Sequence, residues 1–232
     1  MEITPDQIVY WEWGVVTINA TLVFSWGVML LLTTGSWLVT RSLETGPSIP
    51  RWQNLLEIIV GRIRAQIAEA SGGDPDRYLP FVGTLFLFIV TSNVLDAVPG
   101  FAAPTASLTA TAALATCVFV AVPIFGITRQ GAKDYFRQYI RPTPFMLPFH
   151  IIGELSRTLA LAVRLFGNIA SGSLIVAIIL SIAPLFFPVV MQALGLLIGV
   201  IQAYVFAVLA LVYIASAERA HRSSHSTHAP SN

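Results

Sequence analysis

The sequence predicts an all-α membrane protein with about five transmembrane helices, and three observations support that prediction. Only 11% of the 232 residues are charged and 55% are hydrophobic, whereas soluble domains carry about 25% charged residues. The mean hydropathy is +0.74. No charged side chain occurs in residues 13–40, 97–128 or 165–217, and each run exceeds the roughly 20 residues that cross a bilayer.

The same composition excludes other classes of protein. A single cysteine, Cys117, cannot form a disulfide within the chain, and a net charge of +1 does not suit a nucleic-acid-binding module. The sequence has no H-E-x-x-H, G-x-S-x-G, P-loop or G-x-G-x-x-G pattern, so it gives no support to a metalloprotease, a serine hydrolase or a nucleotide-binding site. We therefore expect one membrane domain over residues 1–232, with no cofactor and no metal.

The first span is predicted at residues 13–40. The preceding residues contain no Lys, Arg or A-x-A-like cleavage site, so we interpret this run as a retained span rather than a signal peptide. Trp11, Trp13 and Trp37 lie near its ends, as expected for the aromatic belts of a membrane helix.

Residues 51–71 predict an amphipathic helix rather than a span. Apolar side chains recur there at helical spacing, namely Trp52, Leu55, Leu56, Ile59, Ile63 and Ile67. Such a helix lies in the membrane interface or against a partner. The alternative is a small packed loop helix.

The remaining spans are predicted at residues 79–98, 108–127, 144–183 and 186–216. The last two form a hairpin, because Pro184 and Pro188 interrupt one long apolar stretch. A helix over residues 144–183 would be about 60 Å long, twice the hydrocarbon thickness, so we expect it to tilt strongly. The tail, residues 218–232, contains His221, His225 and His228; these could hold a metal, but the composition favours a flexible, disordered end.

The distribution of Lys and Arg predicts the orientation, because cytoplasmic loops carry the excess. Residues 41–77 contain five of them and residues 129–141 contain four, whereas the first 40 residues contain none. The tail adds Arg219 and Arg222. We expect the N-terminus outside and the C-terminus in the cytoplasm.

Polar side chains form a stripe along the fourth predicted span. They are separated by 4, 3, 7, 4 and 3 positions and share one helix face: His150, Glu154, Arg157, Arg164, Asn168 and Ser171. Glu154 and Arg157 are expected to form a structural ion pair. Arg164 lacks such a partner, although a charge at the bilayer centre costs about 2.5–3.5 kcal/mol. The alternative is an arginine that snorkels to the surface.

Three further polar residues belong to the neighbouring spans. Gln202 lies on the last helix, and a hairpin would bring it near Arg164 or Asn168. Asn93 and Asp96 share a face near the outer end of the second span. Asp96 is either part of an ion-access path or a solvated boundary residue.

Several motifs resemble subunit a of F-type ATP synthases. They are Arg164-Leu165-Phe166-Gly167-Asn168, preceded by Glu154-Leu155-Ser156-Arg157 and followed by Gln202-Ala203-Tyr204-Val205-Phe206, with Thr84-Leu85-Phe86, Ser92-Asn93 and Pro99-Gly100-Phe101 in the second span. The resemblance covers most of residues 50–217.

The resemblance implies a stator in the bacterial cytoplasmic membrane. Its implied partners are a rotating ring of c subunits, the b subunits of the peripheral stalk, the rest of the synthase and membrane lipid. It places Arg164 at the position of the family's essential arginine, Asn168 and Gln202 near it, and Asn93 and Asp96 on the outer access path. It implies no catalytic site within this subunit.

Two positions depart from the family's pattern. Ser173 and Gly195 stand where relatives often carry titratable side chains on the outer path. Hydroxyl, amide and water oxygens also suit Na⁺, so we expect H⁺ as the transported ion and Na⁺ as the alternative.

Two other functions compete with this interpretation. A secondary transporter or channel would predict repeats with matching breaks in two halves, whereas the polar stripe occurs once. A structural membrane anchor would not need the costly charge of Arg164.

Overall fold

The computed structural model describes residues 9–13, 16–41, 51–98, 100–131, 147–182 and 187–226. These residues form six α-helices: α1 Ala20–Arg41, α2 Arg51–Ser71, α3 Pro75–Leu95, α4 Leu108–Gln130, α5 Leu147–Ile182 and α6 Phe187–Ser226. All except α2 are long and apolar enough to cross a membrane. The prediction of an all-α membrane protein with five spanning helices is confirmed.

A short antiparallel hairpin precedes α1, and it corrects the predicted start of the first span. Strand β1, Val9–Trp13, pairs with strand β2, Val16–Asn19, and the helix begins only at Ala20. The β-branched run Val16, Thr17 and Ile18 favours extended backbone, because branching at Cβ restricts the side chain in a helix. The side chains of Trp11 and Trp13 lie outside the described residues.

The second span begins earlier than predicted because its start is capped. The side chain of Asp74 accepts a hydrogen bond from the backbone N–H of Asp76 (3.2 Å), and Pro75 occupies the first turn. Both features favour a helix start. The helix ends at Leu95, and Asp96 therefore lies just beyond it.

The long terminal hairpin is present with different bounds. Helix α5 ends at Ile182 and α6 begins at Phe187; residues 144–146 and 183–186 lie outside the described part. At about 1.5 Å per residue, the 36 residues of α5 span about 54 Å, well above the roughly 30 Å of hydrocarbon. This helix must tilt or project beyond the bilayer.

The prediction of a disordered tail from residue 218 is wrong for residues 218–226, since α6 continues to Ser226. Good helix formers such as Ala217, Glu218 and Ala220 continue the helix, and no Gly or Pro occurs before Pro230. Residues 227–232 and the three histidine side chains lie outside the described residues. A histidine metal site is therefore not tested.

Helix α2 has the predicted range and packs through its second half. Ile67 is buried in a cluster with residues of α3, α4 and α6, and Ile63 packs against that cluster. Ile59 remains 46% exposed, and the side chains of Trp52, Leu55 and Leu56 are not described. Within its described part, the apolar stripe is thus exposed at Ile59 and buried at Ile67.

The core joins five helices through small residues at the contacts. Val28 of α1, Ile89 of α3, Ala115 of α4, Leu165 of α5 and Ala203 of α6 belong to one buried cluster. Alanines at such contacts let helix backbones approach closely, which favours packing in lipid. Helices α3, α4 and α6 therefore form the inner layer, whereas α1 and α5 keep broad exposed faces.

Polar contacts tie α2, α3 and α4 together at one end of the bundle. Arg64 of α2 forms an ion pair with Asp76 at the start of α3, and this hydrogen bond raises the pKa of the Arg64 guanidinium. Arg77 donates to Thr128 Oγ1 of α4 (2.7 Å). Its guanidinium also lies 5.9 Å from the centre of the Phe125 ring, within the range of a cation–π contact.

Candidate functional site

Arg164 lies near the middle of α5 with an exposed side chain. The next residue, Leu165, is fully buried, whereas Val163 is 53% exposed. Within the described part of the chain, no acidic side chain lies within 4.0 Å of the Arg164 guanidinium. Helix α5 therefore presents a cation beside an apolar surface.

The nearest acid along α5 is already paired. Arg157 Nη1 lies 3.6 Å from Glu154 Oε2, as the sequence predicted, and the two side chains are 52% and 19% exposed. The Arg157 guanidinium also lies 5.5 Å from the centre of the Tyr213 ring of α6. Glu154 and Arg157 thus stabilise the hairpin, and Glu154 does not neutralise Arg164.

The predicted approach of α5 and α6 is confirmed at Asn168 and Gln202. Asn168 Nδ2 lies 3.5 Å from Gln202 Oε1, which is at the long limit of a hydrogen bond. Gln202 is only 6% exposed, and its Nε2 has no hydrogen-bond partner among the described residues. Asn168 lies one helical turn from Arg164 on α5, and its neighbour Gln202 carries the unsatisfied buried donor.

Asn93 of α3 joins three elements. Its Nδ2 donates to the carbonyl of Gly199 in α6, and its Oδ1 accepts a hydrogen bond from Thr105 Oγ1, both at 2.8 Å. Asn93 is 7% exposed and Thr105 is fully buried. Sequence reasoning did not single out Thr105, because a threonine in a loop carries no pattern that marks it. Thr105 lies in a short 3-10 turn, Pro104–Ala106.

Asp96 follows the last residue of α3 and has an exposed side chain. Its Oδ1 accepts a hydrogen bond from the backbone N–H of Ala103 at 3.2 Å. Protein atoms nonetheless displace part of the water around the carboxylate, and this desolvation raises the pKa of Asp96; the bond from Ala103 opposes the rise. The side chain is neither free in solvent nor buried.

A cavity of about 370 Å³ brings most of these residues together. It lies between α3, α5 and α6, and its polar lining comes from Asn93, Asp96, Asn168 and Gln192. Gly195 also lines it, and an added Cβ there would meet nothing within 4 Å. The absent side chain at this position therefore leaves open space in the cavity.

Two residues of the predicted ion path lie outside the cavity. Arg164 and Gln202 do not line this cavity, although Arg164 is four positions from Asn168, about 6 Å along the helix axis. The side chain of Ser173 lies outside the described residues. Within the described residues, no group of three or more His, Cys, Asp or Glu side chains could hold a metal ion.

Comparison with known proteins identifies the family of this chain. The family model described as ATP synthase A chain matches residues 22–215. A protein of Crocosphaera subtropica named ATP synthase subunit a 1 is 61% identical over 216 residues, covering 93% of this chain and 94% of that protein. ATP synthase subunit a 2 of Acaryochloris marina is 56% identical over 227 residues, covering 98% and 97%.

A third relative comes from a different organism. ATP synthase subunit a of Albidiferax ferrireducens is 56% identical over 222 residues, covering 96% of each chain. The residues matched by the family model, 22–215, cover nearly the whole of the five helices that are able to span a membrane. The chain therefore belongs to the ATP synthase A chain family, as a non-catalytic, multi-pass membrane subunit of that complex.

Proposed function

We propose that this chain is the ion-translocating stator of a bacterial F-type ATP synthase and that Arg164 is its essential residue. The single observation that supports this role most strongly is an exposed Arg164 on an apolar helix face, while Glu154 is held by Arg157. An uncompensated cation within a span is costly and points to function. Its counter-charge comes from outside the chain, namely from a carboxylate on a ring of c subunits.

Arginine suits this task because its pKa above 12 keeps it charged when water is excluded. A ring carboxylate that approaches Arg164 is stabilised in its deprotonated form, so it releases its ion. The same positive charge repels a cation that would pass directly between the two access paths. Arg164 thereby couples ion flow to ring rotation, and rotation to ATP synthesis or hydrolysis.

The cavity lined by Asn93, Asp96, Asn168 and Gln192 forms the outer half-channel in this proposal. Asn168 belongs to its polar lining, and Arg164 is one turn earlier on α5. Gln202 is the polar neighbour on α6, and its unpartnered Nε2 would hold a water molecule or an oxygen of the ring carboxylate. Ser173 belongs to the same path.

The proposed ion is H⁺, with Na⁺ as the alternative. Among the described residues that line the cavity, Asp96 is the only one with a titratable side chain. A proton relay made solely of titratable side chains would need a second such group, and these residues do not supply one. Water and amide oxygens would complete the path. These oxygens also suit Na⁺, and the ring decides which ion is bound.

The proposed orientation in the membrane follows from the distribution of Lys and Arg along the sequence. The N-terminus is outside and the C-terminus is in the cytoplasm of a bacterial cell, with α2 along the cytoplasmic interface. The exposed face of α5, which includes Leu159 (64% exposed) and Ile178 (58% exposed), faces the ring. The b subunits of the peripheral stalk contact other exposed helices.

The test replaces Arg164 within the whole complex. Arg164→Ala should abolish ion-driven ATP synthesis while the complex still assembles, and Arg164→Lys should impair it severely. Arg157→Gln is the matched control, because it removes an arginine of the same helix that is already paired. Synthesis at the wild-type rate in Arg164→Ala membranes would refute the role of Arg164.

A further inference from the structure

A second cavity, of about 340 Å³, lies between α2, α3 and α6. Ligand sites have volumes of about 300–1,000 Å³, mostly apolar walls and a few placed polar groups, so this cavity falls at the small end of that range. Its apolar walls include Ile67 of α2, Val82 and Phe86 of α3, and Leu211 of α6. None of the residues of the proposed ion path lines it.

Three polar side chains line the same cavity, and all three are exposed. Gln66 of α2 donates a hydrogen bond to the phenolic oxygen of Tyr204 in α6, and Tyr204 is 41% exposed. Glu69 of α2 is the third, and it is the only charged residue among the described residues of the lining. The cavity therefore has exposed polar side chains at its opening and apolar walls inside.

We propose that this cavity binds a small amphiphilic cation, a compact apolar body that carries one protonated amine. The apolar body would replace water against Val82, Phe86 and Leu211, and the ammonium would lie near the carboxylate of Glu69. An anionic amphiphile would meet the same walls but would be repelled by Glu69. An amine is therefore the head group that this lining favours.

Binding would also affect the proposed ion path, because the cavity and Gln202 share helix α6. Tyr204 stands two residues after Gln202, and a ligand between α2 and α6 would compete with the contact of Gln66 and Tyr204. This consequence for turnover rests on the proposed function, whereas the binding itself does not. The two are therefore measured separately.

The binding test uses the purified complex and a short diazirine-bearing alkylamine, with the carboxylic acid of equal chain length as its comparison. After illumination, peptide mass spectrometry maps the label. We expect the amine to label the α3 and α6 segments of the cavity more than α1, whose span is only 6% buried inside the chain. Equal labelling of α1 and the cavity would mean simple partition into lipid and would overturn the proposal.

Two variants separate the apolar and charged contributions. Gly83 lines the cavity and an added Cβ there meets nothing within 4 Å, so Gly83→Leu should fill it. The label should then fall about tenfold, the loss expected when about two methylene groups no longer reach a buried wall. Gly61→Leu is the control, because Gly61 also has open space around it but does not line the cavity.

Glu69→Gln keeps the shape of the cavity and removes its charge. Labelling by the amine should fall about two- to fivefold, as for a partly exposed ion pair, and labelling by the carboxylic acid should not fall. Unchanged labelling in both Gly83→Leu and Glu69→Gln would refute the site. If the amine labels the cavity as expected but does not change the rate of ATP synthesis by the wild-type complex, only the link to Gln202 is refuted.

Discussion

Gly199→Ala provides the sharpest test of how α3 and α6 are held together. A Cβ built on Gly199 lies 3.1 Å from both Cβ and Nδ2 of Asn93, closer than ordinary van der Waals contact. Asn93 cannot move away without lengthening its 2.8 Å bonds to the Gly199 carbonyl and Thr105 Oγ1. The substitution therefore forces either a shift of α6 or the loss of a buried hydrogen bond.

The expected magnitude follows from opposing effects. Alanine in place of glycine favours the helix by about 0.5–1 kcal/mol, whereas overpacking costs about 1–3 kcal/mol and a lost hydrogen bond about 1 kcal/mol. We expect net destabilisation of roughly 1–3 kcal/mol. Gly195→Ala, one turn earlier on α6, should be neutral or stabilising, because its Cβ meets nothing within 4 Å.

The assay compares the apparent melting temperatures of the purified variants in one detergent at one scan rate, since membrane proteins commonly unfold irreversibly. Gly199→Ala should melt below the wild type, and Gly195→Ala should not. Adding Asn93→Ala to Gly199→Ala should relieve only the contacts of Cγ and Nδ2, because the Cβ atom of residue 93 stays 3.1 Å from the added Cβ. The two costs should therefore combine to less than their sum. Equal melting temperatures of the two glycine variants, or strict additivity with Asn93→Ala, would refute the reasoning.

Three further outcomes can be measured in the reconstituted complex. Asn168→Ala and Gln202→Ala should each reduce ATP synthesis only in part, because water can replace a neutral amide; a complete loss with normal assembly would reverse this ranking. Asp96→Asn should weaken the apparent affinity for the ion supplied from outside, and the effect should shrink at high ion concentration, because the amide keeps the shape but not the charge. Because the pKa of Asp96 is raised, its charge disappears at a higher outer pH than for an ordinary aspartate, so the difference from wild type should vanish as the pH falls through that value. An affinity that is the same in both proteins at neutral pH would assign Asp96 to the solvated boundary.

The spans were predictable from sequence because each is a long apolar run with few or no charges. The polar stripe on α5 was predictable because its spacing matches the helical period. The ion pair of Glu154 and Arg157 follows from local spacing and was found as expected. The start of α1 was missed because hydropathy does not distinguish an apolar strand from an apolar helix. Thr105 was missed because its partner Asn93 is twelve residues away and meets it only through the turn between α3 and α4.

The two ends of α3 are fastened by different chemistry, and this difference sets how each responds to ionic strength. In its first turn, Asp76 forms an exposed ion pair with Arg64. In its last turn, Asn93 forms hydrogen bonds with buried neutral groups, the Gly199 carbonyl and the Thr105 hydroxyl. Dissolved salt screens exposed charges over a few ångströms at molar concentration but hardly affects buried uncharged pairs. High salt should thus weaken the ion pair between α2 and α3, and low salt should strengthen it. The hydrogen bonds of Asn93 should be unchanged in both.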